Sequence, residues 1–231
     1  TTTNGRRPRP PPNERMTTVD IENLITDRTQ LRTVYREPGQ MVLDKVIDHI
    51  DDGAAGFIAR SPFMALATST EGRADSSPRG GPPGFVRVLD EHRLAWGDLT
   101  GNNRLDSFGN IVERPDVGLM FIIPGVLETL RLRGTATLVR DPAVLDACSI
   151  DDRRPRAAVV VTVAECYIQC GAALRRSGMW DTDTWPAPDD RPSGAAILKG
   201  HIGLDVPVEA IEADLATYYD NHIWAAGGRE D

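Results

Sequence analysis

Three polar clusters carry the side chains that could do chemistry, and the first is the segment "SSPRGG". It contains Ser77 and Arg79 directly after a predicted strand. Pro78 fixes its own backbone φ and pushes Ser77 into an extended conformation, while Gly80 and Gly81 let a backbone or a planar ring approach closely. This composition suits an arginine held rigidly beside a ligand, and it suits a surface turn equally well.

The second cluster is "GDLTGNNRLDS", which crowds the predicted entrance of a helix with polar side chains. Asp98, Asn102, Asn103, Arg104 and Ser107 all belong to it. A helix N-terminus offers free N–H groups and the positive end of a dipole, so it favours phosphate, and arginine adds a forked donor. An N-cap would explain one of the two asparagines. It would not explain Arg104 and Ser107.

The third cluster is "ETLRLRGTA", in which Arg131 and Arg133 lie two residues apart on a predicted strand. Residues at that spacing face the same side of a sheet, together with Thr129. Two like charges on one face repel each other unless an anion or an acidic side chain lies between them. The two arginines therefore indicate either an anion site or a solvent-exposed face that pairs with Asp or Glu across the sheet.

Other catalytic patterns are missing from the sequence. The four histidines form no dyad, and no GxSxG nucleophile elbow occurs. Cys166 and Cys170 are four residues apart with no second Cys/His pair at zinc spacing, so we expect no metal site. Cys170 reads as a small buried apolar residue. The sequence names no catalytic acid, base or nucleophile.

The elements that must position these clusters alternate between strand and helix patterns. No strand–GxGxxG–helix unit occurs, which disfavours a Rossmann fold. The hairpin connections instead predict a mainly β protein with peripheral helices, built as a small antiparallel barrel. The predicted strands are 63–69, one beginning at "SSPRGG", 85–90, 93–98, 116–124, 128–141 and 157–171. The predicted helices are 41–50, 103–113, one beginning at "DPAVLDACS", a short one in "GAALRRSGMW", and 207–224, with a Pro/Asp loop over 181–196.

Length, charge and composition narrow the class of protein. The 231 residues carry a net charge of −8, which disfavours a general nucleic-acid surface. Lysine occurs only at positions 45 and 199, so an anion site here must use arginine. No stretch approaches ~20 apolar residues, so we expect no membrane span and a cytoplasmic protein. We expect a disordered tail over 1–16, an N-terminal arm over 17–40 and a single domain over 41–231.

The three clusters, in this order, resemble a known family. The stretch from about Phe63 to Val139 is similar to the pyridoxamine 5'-phosphate oxidase-like, FMN-binding split-barrel proteins. The matching segments are "FMALATSTEGRADSSPRGG", "NNRLDSFGNIVERPDVGLMF" and "ETLRLRGTATLV", with a hairpin between the first two. The strongest likeness is to a flavin-dependent subgroup of uncertain substrate, in which "SPRGG", "GNNRLDS" and "SGMW"-like stretches recur.

The resemblance implies an antiparallel FMN-binding split barrel and a homodimer with FMN in a groove at the subunit interface. Ser77 and Arg79 would lie along the flavin, and Arg104 and Ser107 would hold the phosphate. Arg131 or Arg133 would reach the cofactor, if necessary from the partner subunit. The full predicted cofactor set is Ser77, Arg79, Gly80, Asp98, Asn102, Asn103, Arg104, Ser107, Arg131 and Arg133.

The chain departs from the true oxidases at two places. Positions 103 and 105 are Asn and Leu, where the oxidases carry a Lys beside the Arg, and their C-terminal Arg and His residues have no clear counterpart. These departures argue against oxidation of pyridoxamine phosphate itself. The resemblance, with these departures, therefore implies an FMN-dependent oxidoreductase for a small organic substrate. The alternatives are an F420-dependent reductase of the same fold and a non-enzymatic flavin- or haem-binding protein.

Overall fold

The structure, a computed structural model, describes residues 21–227 and divides into two units. One unit ends at Gln40. Within it, helix α1 spans Arg28–Val34, and the Asp27 carboxylate caps the helix by accepting a hydrogen bond from the Gln30 N–H at 2.9 Å. The predicted tail over 1–16 lies outside the described residues, and the role of the predicted arm stays a prediction.

The second unit, which begins at Met41, contains a seven-stranded antiparallel sheet in the order β2-β1-β5-β6-β7-β4-β3. Every strand pair in it is antiparallel, as the hairpin connections predict. The strands are β1 Phe63–Thr70, β2 Arg73–Gly80, β3 Val86–Asp90, β4 Arg93–Gly97, β5 Asp116–Ile122, β6 Thr129–Val139 and β7 Ala158–Gln169.

Helices lie between and after the strands. They are α2 Gln40–Asp44, α3 Asp52–Ile58, α4 Asp106–Glu113, α5 Pro142–Ala147, α6 Ala172–Ser177, α7 Gly194–Ile202 and α8 Val208–His222, with two 3₁₀ turns at Thr182–Thr184 and Pro188–Asp190. None of the helices among residues 21–227 combines the length and the apolar character needed to cross a bilayer.

One helix prediction and one loop prediction are wrong. The apolar spacing over 41–50 predicts one helix, but α2 ends at Asp44 and the Ile47 backbone instead exchanges two hydrogen bonds with Cys166 on β7, at 3.0 and 2.7 Å. A new helix, α3, begins at Asp52, capped by the Asp51 carboxylate. The predicted loop over 181–196 is also interrupted, because Ser193 caps the start of α7.

One continuous core cluster holds the barrel together. It combines side chains from β1, β5, β6 and β7 with others from β3 and β4, which lie at the far end of the strand order. Trp96 and Phe121 are its largest fully buried side chains. Because β1, next to one edge of the sheet, shares one core with β3 and β4 at the other edge, the sheet is curved into the predicted antiparallel split barrel. This curvature brings β2 and β4 to the two sides of one cavity.

Candidate functional site

A cavity of about 500 Å³ lies between β2, the end of β4 and the loop that leads into α4. This volume falls in the range of small-molecule sites, roughly 300–1,000 Å³. The structure brings eight of the ten predicted cofactor residues to its wall: Ser77, Arg79, Gly80, Asp98, Asn102, Asn103, Arg104 and Ser107.

Arg79 is a half-buried cation on β2 that faces this cavity. Its Nη1 donates to the Ser77 hydroxyl at 2.7 Å and to the Pro78 carbonyl at 2.9 Å. Burial lowers the pKa of its guanidinium, while the negative charges of Asp98 and Asp75 oppose that shift. No carboxylate among the described residues forms an ion pair with it, so the remaining N–H donors are available to a ligand.

Asp98, at the end of β4, is a half-buried carboxylate in the same wall. Burial raises the pKa of Asp98, and the nearby Arg79 charge only partly offsets this. Its carboxylate makes no hydrogen bond or ion pair with any residue between 21 and 227. The cavity thus contains two neighbouring, opposite and unpaired charges. Both side chains are half-buried, and each keeps hydrogen-bonding capacity that a complementary ligand group can use.

The loop before α4 has an unusual backbone. Asn103 and Leu105 have φ values of 55° and 57°, in the left-handed region. Asparagine tolerates this region, but for a leucine it costs on the order of 1–2 kcal/mol. Neither Asn102 nor Asn103 is the N-cap that the alternative interpretation offered: Leu105 occupies the N-cap position without a side-chain cap, and the Asn102 side chain accepts from the Arg104 N–H at 3.1 Å.

The first turn of α4 therefore presents backbone N–H groups that no side chain caps. Ser107, the second helical residue, is buried and lines the cavity at this point. A helix start without a cap beside a cavity provides donors for an anion. The predicted helix start at about Asn103 is three residues early, because the left-handed backbone delays the helix.

Asp106 is a site residue that the sequence analysis missed. Its carboxylate pairs with Arg104 Nε at 2.9 Å and with Arg73 Nη2 at 3.5 Å, and Arg104 is 68% exposed. The spacing of Arg104 and Asp106, two residues apart at a helix start, is the signal that could have found this pair. Arg104 is thus already partly neutralised, whereas Arg79 is not.

The charges define two ends of the cavity. Arg73 contacts Asp106 at the α4 end, whereas Arg79 lies six residues further along the same strand, β2. Phe85 lies at the Arg79 end, since it packs directly against Gly81. The cavity therefore has an end with helix N–H groups, Arg104 and Ser107, and an end with Arg79, Asp98 and an aromatic side chain.

Arg131 and Arg133 do not line the cavity. Arg133 pairs with Glu165, its cross-strand neighbour on β7, at 3.2 Å. Arg131 lies over the Tyr167 ring, with 5.5 Å from its guanidinium carbon to the ring centroid. Arg133 thus matches the alternative in which the arginines lie on a solvent-exposed face and pair with an acidic side chain across the sheet. Any cofactor contact by these two arginines stays a prediction.

The C-terminal segment contributes a wall that no local pattern indicates. Leu99 forms an antiparallel bridge with Ala226, and the Thr100 N–H donates to the Ala225 carbonyl at 2.8 Å. Ile223 and Gly227 consequently line the cavity. These contacts join residues more than 120 positions apart, so sequence spacing could not reveal them. Phe85, Trp96 and Phe108 were missed because apolar wall residues look like core residues.

Taken together, these groups can bind and orient a ligand that is anionic at one end and flat at the other. The α4 end offers N–H donors, a hydroxyl and an arginine for a terminal anion. The Arg79 end offers one donor and one acceptor beside aromatic side chains. Among the described residues, no histidine lines the cavity, and no group of three His, Cys, Asp or Glu side chains could hold a metal ion.

Comparison with known proteins gives one family match. The model of the family described as "Pyridoxamine 5'-phosphate oxidase" matches residues 50–170, just over half of the chain. The matched region includes all seven strands and the cavity wall from β2 to α4. A search of curated proteins found no match.

Solved structures with a similar arrangement come from several bacteria. HupZ from Group A Streptococcus is 18% identical, with a TM-score of 0.43 and coverage of 52% of this chain and 94% of that chain. The FAD binding protein from Mycobacterium smegmatis is 13% identical, with a TM-score of 0.39 and coverage of 53% and 97%. A Clostridium acetobutylicum protein related to general stress protein 26 is 14% identical, with a TM-score of 0.38 and coverage of 51% and 86%.

Proposed function

Because this chain belongs to the pyridoxamine 5'-phosphate oxidase family, we propose that it is an FMN-dependent oxidoreductase acting on a small organic substrate. The flavin would occupy the cavity between β2 and α4. The observation that carries the proposal is the half-buried Arg79, which faces this cavity without a carboxylate partner among the described residues. Opposite it stands a helix start with uncapped N–H groups.

The residues present fit FMN at both ends. The phosphate would bind at the α4 end, on the first N–H groups of the helix, the Ser107 hydroxyl and Arg104. The flavin ring would lie toward Phe85 and Arg79, where an aromatic side chain can stack on it. When bound, FMN supplies the hydride or electron transfer, and the chain supplies binding, orientation and charge.

The number of basic groups favours FMN over F420. Arg79 and Arg104 are the basic residues among the described cavity-lining side chains, and Asp75, Asp98 and Asp106 lie in the same wall. The longer anionic tail of F420 would need more positive charge than this wall provides. A haem would need an axial ligand, and the described cavity wall has no histidine to offer.

A titration with two flavins tests this assignment. Apoprotein would be titrated with FMN and, separately, with riboflavin, and flavin fluorescence quenching would be followed. A phosphate site at α4 predicts that FMN binds more tightly than riboflavin by at least ~10-fold, which corresponds to one charge-assisted contact of about 1.5 kcal/mol. Equal affinity for the two flavins would contradict the phosphate site, and no binding of either would contradict the proposal.

We further propose that the active form is a homodimer. Phe63, Leu127 and Ile168 are each more than a third exposed, near the ends of β1, β6 and β7. A second copy could cover these side chains and bring its own Arg131 or Arg133 toward the flavin. Sedimentation of the FMN-loaded protein should give twice the chain mass, 25.2 kDa, and a stable loaded monomer would exclude this assembly.

A further inference from the structure

Asp98 and Arg79 form a donor–acceptor pair that the phosphate end of the cavity does not need. Both side chains are half-buried, both face the cavity, and their charges interact without a direct ion pair. Arg79 uses only Nη1 in its two hydrogen bonds, and the Asp98 carboxylate makes none with the described residues. The remaining donors and acceptors are complementary to a ligand edge on which acceptor and donor atoms alternate.

The flavin has such an edge in only one part of its ring. Its pyrimidine ring presents two carbonyl oxygens on either side of the N3–H group, whereas the opposite, dimethylbenzene edge is apolar. The phosphate is proposed at the α4 end of the cavity, and Arg79 and Asp98 line the same cavity. With the phosphate there, the ring would lie toward Arg79, next to Phe85.

We propose that Asp98 and Arg79 read the pyrimidine edge of the flavin, with the Asp98 carboxylate accepting from N3–H and Arg79 donating to a neighbouring carbonyl oxygen. This inference rests on the proposed function. It makes Asp98 a specificity-determining residue of the site, selecting ring systems that carry an imide N–H. The Asp98 carboxylate then has a role in binding the ring, whereas its negative charge would weaken binding in a site that held only a phosphate.

The C-terminal segment supports this role for Asp98. Gly227 donates its N–H to the Asp98 backbone carbonyl at 3.2 Å, and its α-carbon lies against the Asp98 carboxylate so closely that a side chain there would collide with it. The carboxylate is thereby screened from water on one side and held in the wall. A fixed and desolvated acceptor discriminates between ligands more strongly than a mobile one.

The test uses a flavin in which N3 carries a methyl group. FMN and 3-methyl-FMN would be titrated into the wild-type apoprotein, Asp98→Asn and Asp98→Ala, with Asp116→Asn as the control because Asp116 is an exposed carboxylate that does not line the cavity. The wild type and the control should prefer FMN by ~10–150-fold, the equivalent of one hydrogen bond to a charged group. Asp98→Asn should show a reduced preference, and Asp98→Ala should bind both flavins about equally.

Three results would overturn the inference. Equal binding of the two flavins by the wild type would show that no acceptor faces N3. An unchanged preference in Asp98→Ala would show that another group reads this edge. Failure of the wild type to bind FMN would remove the proposed function and the inference with it, and this outcome is distinguishable because the first two both retain FMN binding. Circular dichroism of each variant would confirm that the barrel is folded.

Discussion

Substitution of Arg79 should separate the stability of the barrel from its affinity for flavin. In Arg79→Gln the protein loses the Nη1 hydrogen bonds to the Ser77 hydroxyl at 2.7 Å and to the Pro78 carbonyl at 2.9 Å, about 0.5–1.5 kcal/mol each. It also loses a partly desolvated charge whose pKa is already lowered by burial. These two effects oppose each other, so the free energy of unfolding of the apoprotein should change by about 1 kcal/mol or less.

The affinity should change far more. A hydrogen bond from a charged donor to a ligand contributes about 1.5–3 kcal/mol, so Arg79→Gln should weaken FMN binding by ~10–150-fold. Arg79→Lys should recover only part of this, because an ammonium group lacks the forked geometry of a guanidinium. The assay is a fluorescence-quenching titration of apoprotein, with chemical denaturation of the same samples.

The matched control is Arg93→Gln, since Arg93 lies on β4, pairs with Asp90 at 2.6 Å and does not line the cavity. The control should bind FMN as the wild type does. An unchanged dissociation constant in Arg79→Gln would refute the assignment of Arg79 to the site. A loss of several kcal/mol of stability would instead make Arg79 a structural residue.

Three further predictions concern other groups of the second unit. Arg104→Ala should weaken FMN binding by about fivefold or less in the same titration, because an exposed, already paired arginine contributes about 1 kcal/mol at most. A loss of affinity as large as that of Arg79→Gln would contradict the prediction that Arg79 contributes more to FMN binding than Arg104. Asp98→Asn should raise the melting temperature of the apoprotein at pH 8, because the raised folded-state pKa means that the ionised carboxylate opposes folding. This gain should vanish as the pH falls through the raised pKa to below the unfolded value of about 3.9, and a pH-independent difference in thermal scans would point to packing instead. Cys170 is exposed, and a backbone hydrogen bond from Ala172 lowers the pKa of its thiol, whereas burial raises the pKa of Cys148 and Cys166 to about 11. Iodoacetamide should therefore alkylate Cys170 first, and mass mapping that finds either buried cysteine modified first would contradict this.

The sequence predicts the barrel well where one physical signal dominates. Alternating burial along β6, with Leu130 and Leu132 inside and Arg133 outside, makes a strand recognisable without its partners. The same holds for the β3–β4 hairpin. The prediction of a helix over 41–50 fails because the Ile47 backbone forms hydrogen bonds with Cys166 on β7. This tertiary contact overrides the helical spacing of the apolar residues.

The site was predictable in its local parts only. Polar clusters that end strands identified Arg79, Asp98 and Ser107, since each lies in a short segment dense in donors and acceptors. The pairing of Ala226 with Leu99 was not predictable, because it depends on where the chain returns after α8. The prediction that Cys170 is a small buried apolar residue is also wrong, because Cys170 lies exposed just before α6.

The identity of the bound cofactor tests the central claim most directly. Apoprotein would be incubated with an equimolar mixture of FMN, FAD, F420 and haem, desalted, and measured by native mass spectrometry. The account predicts one FMN per chain, carried by a species of two chains, with Arg79→Gln retaining the least FMN. Preferential uptake of FAD, F420 or haem, or no uptake of any of the four, would contradict it.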